Sequence, residues 1–220
     1  MLTKRFAVFA LLLLALCPGI AGASKKPKPS KSQSNGFSYY MLVLSYAPDF
    51  CNETGSKDPG ECGNGRHVGF VVHGLWPQGE TTRGPENCAS QGEIPDGIFT
   101  EMLRYFPTKS LIQHEWTTHG TCSGLIMAAY FAAVKKARDA VTIPSSLVAS
   151  VTQAITPAEV ISRVAAANSS FLKTAFRTSC YKDSELQEVR VCLNKDLSPR
   201  PCSSSAGQCP AKNVTLLPVH

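Results

Sequence analysis

The chain has 220 residues, nine cysteines and a formal net charge of +6 at pH 7. Six of its cations lie within residues 1–31, which contain no acidic residue: Lys4, Arg5, Lys25, Lys26, Lys28 and Lys31. Without these charges the rest of the chain is close to neutral, which argues against a broad basic face for binding nucleic acid. Any recognition of nucleic acid must therefore come from local groups.

Residues 1–23 have the pattern of a cleaved secretory signal peptide. Two cations, Lys4 and Arg5, precede an apolar run at residues 6–16, and the segment ends in small residues at Ala23. A membrane-spanning helix needs about 20 apolar residues, so this run is too short to be one. We expect cleavage after Ala23.

Residues 24–35 contain no large apolar side chain and are predicted to form a flexible basic linker. Residues 36–220 are long enough for a single domain with a real hydrophobic core. We expect this domain to be a monomer, secreted or periplasmic, with no membrane contact once the signal is removed.

The local patterns predict four strands and three helices in the proposed domain. In chain order, these are a buried strand at 37–46 bounded by Pro48, a strand at 68–73 that ends on a histidine, a helix within 94–106, a helix at 125–140, a helix from Thr156 to about Ala167, a strand at 186–194 and a weaker strand at 213–219. Strands at both ends with helices between them predict an α+β domain, in which helices pack against a central antiparallel sheet.

Eight cysteines remain after the predicted loss of Cys17: Cys51, Cys62, Cys88, Cys122, Cys180, Cys192, Cys202 and Cys209. An even number behind a secretory signal is typical of four stabilising disulfides in an oxidising compartment. A zinc site is disfavoured because the spacings between these cysteines and the histidines do not fit zinc ligands. The spacing alone leaves about 105 pairings open.

The histidines are distributed unevenly. Of five, His73, His114 and His119 lie in two short strings, VVHGLWPQ (71–78) and HEWTTHGTC (114–122), which also hold both tryptophans of the chain. A single histidine most often has a surface or hydrogen-bonding role, which is what we expect of His67 and His220. The clustering of the other three predicts a functional site.

The second string favours acid–base chemistry over a metal site. A metalloprotease motif places its histidines four apart, whereas His114 and His119 are five apart and would be rotated by roughly 140° on a helix at about 100° per residue. We therefore expect no metal and no cofactor. Two imidazoles, each with a pKa of about 6.5, suit RNA cleavage, in which one group deprotonates the 2′-hydroxyl and another protonates the leaving 5′-oxygen.

HGLWPQ and HEWTTHGTC closely resemble the two active-site signatures of the T2 ribonuclease family of secreted acid endoribonucleases, and the resemblance extends over residues 37–218. It implies an endoribonuclease that cleaves single-stranded RNA by transphosphorylation through a 2′,3′-cyclic phosphate, with broad base preference. It also implies four disulfide pairs: Cys51 with Cys62, Cys88 with Cys122, Cys180 with Cys209, and Cys192 with Cys202.

The resemblance also implies roles for individual residues. His119 would deprotonate the 2′-hydroxyl and His73 would protonate the leaving group, with the roles exchanged when the cyclic phosphate is hydrolysed. His114 would position the phosphate and Glu115 would help to stabilise it. In the first string, Trp76 would stack on a base and Gln78 would contact a neighbouring base, whereas we expect Trp116 to pack in the core.

One position departs from the family pattern. The family usually carries lysine immediately before its last histidine, and here that residue is Thr118. Losing one group that stabilises the transition state costs roughly 10²–10³ in rate, which leaves open a weakly active or inactive RNA-binding member of the same fold. The candidates to supply a replacement cation are Arg66, Arg83 and Lys109. On a helix, Thr118 would lie on the same side as His114 and Glu115 and would face the phosphate.

Overall fold

The computed structural model describes residues 36–219 except 56, 57, 64, 66, 90, 91 and 183. The predicted signal peptide and linker, together with Arg66 and His220, lie outside the described residues. In the part of the chain that is described, no helix is both long and apolar enough to cross a membrane.

Six strands form two antiparallel sheets in the described residues. The strands are β1 (Tyr39–Tyr46), β2 (Phe70–Gln78), β3 (Gln153–Ile155), β4 (Phe176–Cys180), β5 (Leu186–Leu193) and β6 (Val214–Leu216). The main sheet has the order β2-β1-β5-β4, and the smaller sheet pairs β3 with β6. All eight residues of β1 are buried, as expected of a continuous apolar run in the interior of a sheet.

Five α-helices accompany the sheets: α1 (Ala47–Thr54), α2 (Asp96–Met102), α3 (Lys109–Thr118), α4 (Met127–Asp139) and α5 (Pro157–Ala166). The Thr108 hydroxyl caps α3 by accepting a hydrogen bond from the Leu111 amide at 3.1 Å. Thr156 caps α5 in the same way, as its sequence predicts. Helices α3 and α4 both contact β2. The predicted α+β class with a central antiparallel sheet is confirmed.

The two faces of β1 have different surroundings. Leu42 and Leu44 point into the main core, where they join the buried side chains of the helices. Met41 and Val43 point to the opposite face and join a smaller cluster. Ser45 shares this second face, and it pairs with Val71 of β2 and Glu188 of β5. Two polar residues, Ser45 and Glu188, therefore lie side by side on the face of the sheet away from the main core.

Several predicted element boundaries were wrong. The second strand was expected to end at His73 but continues to Gln78, because β2 is an edge strand and an edge tolerates Pro77. The helix predicted within 94–106 is limited to α2. The strand predicted at 213–219 is reduced to β6 and belongs to the smaller sheet. Strands β3 and β4 were not predicted, and neither was α1, which includes Pro48 in its first turn.

Four disulfides link the described residues: Cys51–Cys62, Cys88–Cys122, Cys180–Cys209 and Cys192–Cys202. These are the pairs that the family resemblance implies. The second of them joins the segment after β2 to the turn after α3. Nearby, the Asn87 amide donates a hydrogen bond to the Thr118 carbonyl at 2.8 Å. The second string is thus tied, covalently and through the backbone, to the segment that follows β2.

Candidate active site

His73 is the unpaired residue of a β-bulge in β2. Val43 of β1 is opposite Gly74, and the next residue, Leu44, is opposite Val72, so His73 has no partner in the ladder. A bulge bends its strand and redirects the side chain of the extra residue. On a regular strand, residues three positions apart face opposite sides. The bulge lets Val72 and Leu75 both face the main core. The His73 side chain remains 31% exposed.

Two buried carboxylates flank the His73 ring. Its Nδ1 lies 3.0 Å from Oε1 of Glu188 on β5, and its Nε2 lies 3.7 Å from Oε1 of Glu115 on α3. Burial by itself lowers the pKa of His73. The negative charges of Glu188, Glu115 and Glu61 outweigh burial, and the pKa is raised above its ordinary value. His73 therefore favours the protonated imidazolium.

Trp76 connects the first string to the second. Its indole Nε1 donates a hydrogen bond to Oε2 of Glu115 at 2.8 Å. Its ring stacks on His119 with a centroid distance of 4.8 Å, and it meets the His73 ring edge-on at 5.0 Å. One half-buried tryptophan thus contacts both histidines and the buried glutamate.

His119 occupies an environment opposite to that of His73. It follows the last residue of α3 and is only 7% exposed. Among the described residues, no group forms a hydrogen bond with its buried Nδ1. Burial, reinforced by the nearby His114 and His73, lowers the pKa of His119 to about 4. His119 is therefore neutral over most of the mildly acidic range.

Two glycines in the strings make room for these contacts. A Cβ on Gly74 would collide with Oε2 of Glu115 and would come within 2.5 Å of the Trp76 indole nitrogen. A Cβ on Gly120 would collide with the Trp116 ring and lie 2.9 Å from Tyr130. Trp116 is itself buried, as predicted, and packs near Tyr130. Each string therefore carries glycine where a side chain would displace another part of the site.

A cavity of about 530 Å³ opens beside His73. His73 and the exposed His114 both line it, so the third histidine faces the same space as the first. The cavity is also lined by Glu61, whose pKa burial raises to about 7, and by Tyr181. Its volume lies within the range of about 300–1,000 Å³ that is usual for small-molecule sites.

The structure brings together His73, Trp76, Glu115 and His119 by direct contact, and His114 joins them across the cavity. Gln78 is buried at the end of β2, and its contact with a base stays a prediction. His67 is exposed, as expected.

The position of the missing cation remains open. Thr118 is half-buried at the end of α3, and its carbonyl accepts the Asn87 amide. The side chain of Lys109 is exposed and directed at Asp96, 3.5 Å away. Arg83 is exposed, and Arg66 lies outside the described residues. The orientation of the Thr118 side chain towards a phosphate stays a prediction.

Sequence reasoning missed Glu188. The residue is 2% exposed on β5, and the predicted strand at 186–194 contained it without any indication that it meets His73. Alternation with Val189 and Val191 places Glu188 on the face of β5 away from the main core, so the strand pattern alone did not indicate a buried acid. Within the described residues, no group of three or more His, Cys, Asp or Glu side chains is arranged to hold a metal ion.

We predict that Gly74→Ala lowers the free energy of unfolding by about 1–3 kcal/mol, because the new methyl group must displace Glu115 or Trp76. The Trp76 indole N–H resonance should shift, which NMR detects, and urea denaturation measures the stability. The control is Gly97→Ala, where a Cβ meets nothing within 4 Å and alanine should be neutral or stabilising on α2. An unchanged stability and indole signal in Gly74→Ala would contradict the close contact.

Comparison with known proteins finds similarity to proteins described as ribonucleases. A probable ribonuclease of Haemophilus influenzae is 36% identical over 120 residues, covering 49% of this chain and 44% of that protein. The chain thus matches less than half the length of that relative. Ribonuclease Oy of Magallana gigas is 31% identical over 186 residues, covering 70% of this chain and 85% of that protein.

The fold also matches solved structures. The structure described as that of trichomaglin, a novel S-like ribonuclease, superposes with a TM-score of 0.63 at 24% identity, covering 83% of this chain and 98% of that one. At this identity the likeness shows the fold alone. The sequence model of the Ribonuclease T2 family matches residues 37–202. The chain therefore belongs to the Ribonuclease T2 family.

Proposed function

We propose that this protein is an endoribonuclease that cleaves single-stranded RNA by transphosphorylation through a 2′,3′-cyclic phosphate. The observation that carries the proposal is the pair formed by His119 and His73. Both rings contact Trp76, and their pKa values are displaced in opposite directions, to about 4 for His119 and upwards for His73. Two titratable groups with separated pKa values in one site are what general acid–base catalysis needs.

The separation assigns the two roles. Between the two pKa values, His119 is neutral and accepts the proton of the 2′-hydroxyl, while His73 is protonated and donates to the leaving 5′-oxygen. The 2′-oxygen forms a bond to phosphorus as the bond from phosphorus to the 5′-oxygen breaks. The histidines then exchange roles when water opens the cyclic phosphate. Because the imidazoles supply both proton transfers, the proposed reaction needs no metal and no cofactor.

Glu115 fits a role at the phosphate. Burial raises the pKa of Glu115 to about 7, so at mildly acidic pH it is a neutral carboxylic acid. Its Oε2 accepts from Trp76, while its Oε1 has no hydrogen-bond partner among the described groups. A neutral carboxyl donates a hydrogen bond to a phosphate oxygen, whereas a carboxylate would repel it. The exposed His114 would position the phosphate from the cavity side.

The cavity beside His73 suits the leaving nucleotide, because His73 protonates the 5′-oxygen of that nucleotide. On the other side of the scissile bond, Trp76 would offer an aromatic face to a base, with Gln78 nearby in sequence. Stacking supplies about 1–3 kcal/mol per base and does not distinguish strongly between bases, which supports a broad base preference. These base contacts remain part of the proposal.

The compartment follows from the cysteines. Four disulfides persist in an oxidising environment and would be reduced in most cytosols. Together with the predicted signal peptide, they favour a secreted or periplasmic enzyme. Its action as a monomer on RNA stays a prediction.

The proposed roles predict that His73→Ala and His119→Ala each lower turnover of RNA by about 10²–10⁴ with the fold retained. The exposed His67→Ala is the matched control and should cleave at the wild-type rate. Excess chelator should leave cleavage unchanged, and DNA should resist because it lacks the 2′-hydroxyl. Near wild-type turnover in either site variant would remove that histidine from the mechanism, and chelator inhibition reversed by zinc would overturn the reaction class.

We also predict the shape of the pH profile. His119 must be neutral, so kcat/KM on a dinucleotide should fall as the pH drops below about 4. His73 must be protonated, so kcat/KM should fall again as the pH rises through its pKa, which lies above 6.5. The residual activity of His119→Ala should lose the acid limb, and that of His73→Ala should lose the basic limb. Loss of the opposite limb in either variant would reverse the assignment.

Thr118→Lys tests the departure from the family pattern. We expect turnover to rise several-fold, since a cation near the phosphate stabilises the transition state more than the bound substrate. The acid limb should also move to lower pH, because a cation next to His119 lowers its pKa. Thr118→Met, of similar length but uncharged, should produce neither change. If the lysine variant is unchanged or slower, residue 118 points away from the phosphate or another cation already acts there.

A further inference from the structure

Glu188 is a buried acid on β5, a strand whose other buried residues are apolar. It lies on β5, opposite Ser45 of β1 and Ser179 of β4, and is 2% exposed. Burying an ionised carboxylate is costly unless it is paired and hydrogen-bonded. The surroundings of Glu188 must therefore compensate for the loss of water.

Every oxygen of this carboxylate has a partner. Oε1 lies 3.0 Å from His73 Nδ1, while Oε2 accepts from Arg190 Nε at 2.8 Å and from the Ser179 hydroxyl at 3.0 Å. The Arg190 guanidinium is fixed in turn by donating to the Ala206 carbonyl at 2.8 Å. Burial opposes ionisation, but His73 and Arg190 outweigh it and lower the pKa of Glu188 to about 2. Glu188 is thus an anion across the working pH range.

We propose that Glu188 is a positioning residue that acts on the reaction through His73. By accepting the Nδ1–H of His73, it fixes the ring on the bulge and directs Nε2 towards the scissile phosphate. The unprotonated tautomer left after proton donation then carries its hydrogen on Nδ1 and its lone pair on Nε2. That tautomer is the one needed to accept a proton from water in the second stage. The importance of this tautomer for the reaction rests on the proposed function. The pair formed by the Glu188 carboxylate and the His73 imidazole does not depend on that function.

Other charged groups also face His73. Glu115 approaches from α3, Glu61 from the segment after α1, and His119 lies beyond Trp76. The remaining titratable groups line the same cavity: Asp58, His114 and Tyr181. Glu61 and Glu115 have pKa values of about 7 and lose their charge as the pH falls below it. Of the three acids that raise the pKa of His73, Glu188 alone keeps its charge at mildly acidic pH.

The test is Glu188→Gln, followed by an NMR titration of the His73 imidazole in the folded, RNA-free protein. The amide keeps the shape and an acceptor oxygen but removes the charge. We expect the pKa of His73 to fall by about 1–2 pH units, and the basic limb of kcat/KM should move to lower pH by the same amount. The acid limb, set by His119, should stay in place. A purely structural role would lower the rate at every pH without moving either titration.

Two further variants complete the test. Ser179→Ala removes one hydrogen bond from Glu188 without changing its charge, so the His73 titration should move far less than in Glu188→Gln. Arg190→Gln removes the cation that competes for the carboxylate, so the pKa of His73 should rise. If Glu188→Gln does not fold, Arg190→Gln decides the matter, because an unmoved His73 titration there would overturn the proposal.

An unmoved His73 titration in folded Glu188→Gln would also overturn the proposal that Glu188 acts through His73. The titration needs no substrate, so it separates this proposal from the proposed function. A shifted His73 in a protein that does not cleave RNA would uphold the pair and reject the ribonuclease activity. Cleavage of RNA together with an unmoved His73 titration in Glu188→Gln would uphold the ribonuclease activity and reject the pair.

Discussion

The hydrogen bond from the Trp76 indole to Glu115 joins strand β2 to helix α3, and the geometry of the site depends on it. Glu115 has no exposed surface, so the indole nitrogen is a polar partner that it needs in an interior without water. The bond also fixes the plane of the tryptophan ring, against which His119 stacks and His73 abuts. The absence of a side chain at Gly74 lets this contact form.

The two histidines differ because one fold gives them different neighbours. His119 lies at the end of α3, where burial is not offset by any anion that lowers the cost of its charge. His73 lies on a bulge of an edge strand, within reach of carboxylates from β5 and α3. Identical side chains thus favour different protonation states before any substrate binds, as the proposed roles of base and acid require. The strand order of the main sheet makes this possible, because β5 lies only two strands from β2.

Local sequence predicted the α+β class and the residues that meet around Trp76, because both strings carry their chemistry over a few consecutive positions. It could not predict the bulge at His73, which depends on the register between β1 and β2 rather than on either strand alone. Pro48 was correctly interpreted as bounding the strand that ends at Tyr46, but the helix whose first turn contains it was not predicted. Glu188 was missed because strand pairing brings it to His73 from far along the chain.

The density of carboxylates around His73 has a consequence for an enzyme that binds a polyanion. Glu61 and Glu115 have pKa values of about 7, so both are neutral at mildly acidic pH and ionise as the pH rises. In the proposed enzyme, their ionisation would oppose binding of the phosphate. Glu188 differs from these two acids because its charge is paired with Arg190. The site therefore combines one carboxylate that stays ionised and raises the pKa of His73 with two acids that titrate near neutral pH. For the proposed ribonuclease, a rise in pH would thus weaken phosphate binding as well as deprotonate the general acid.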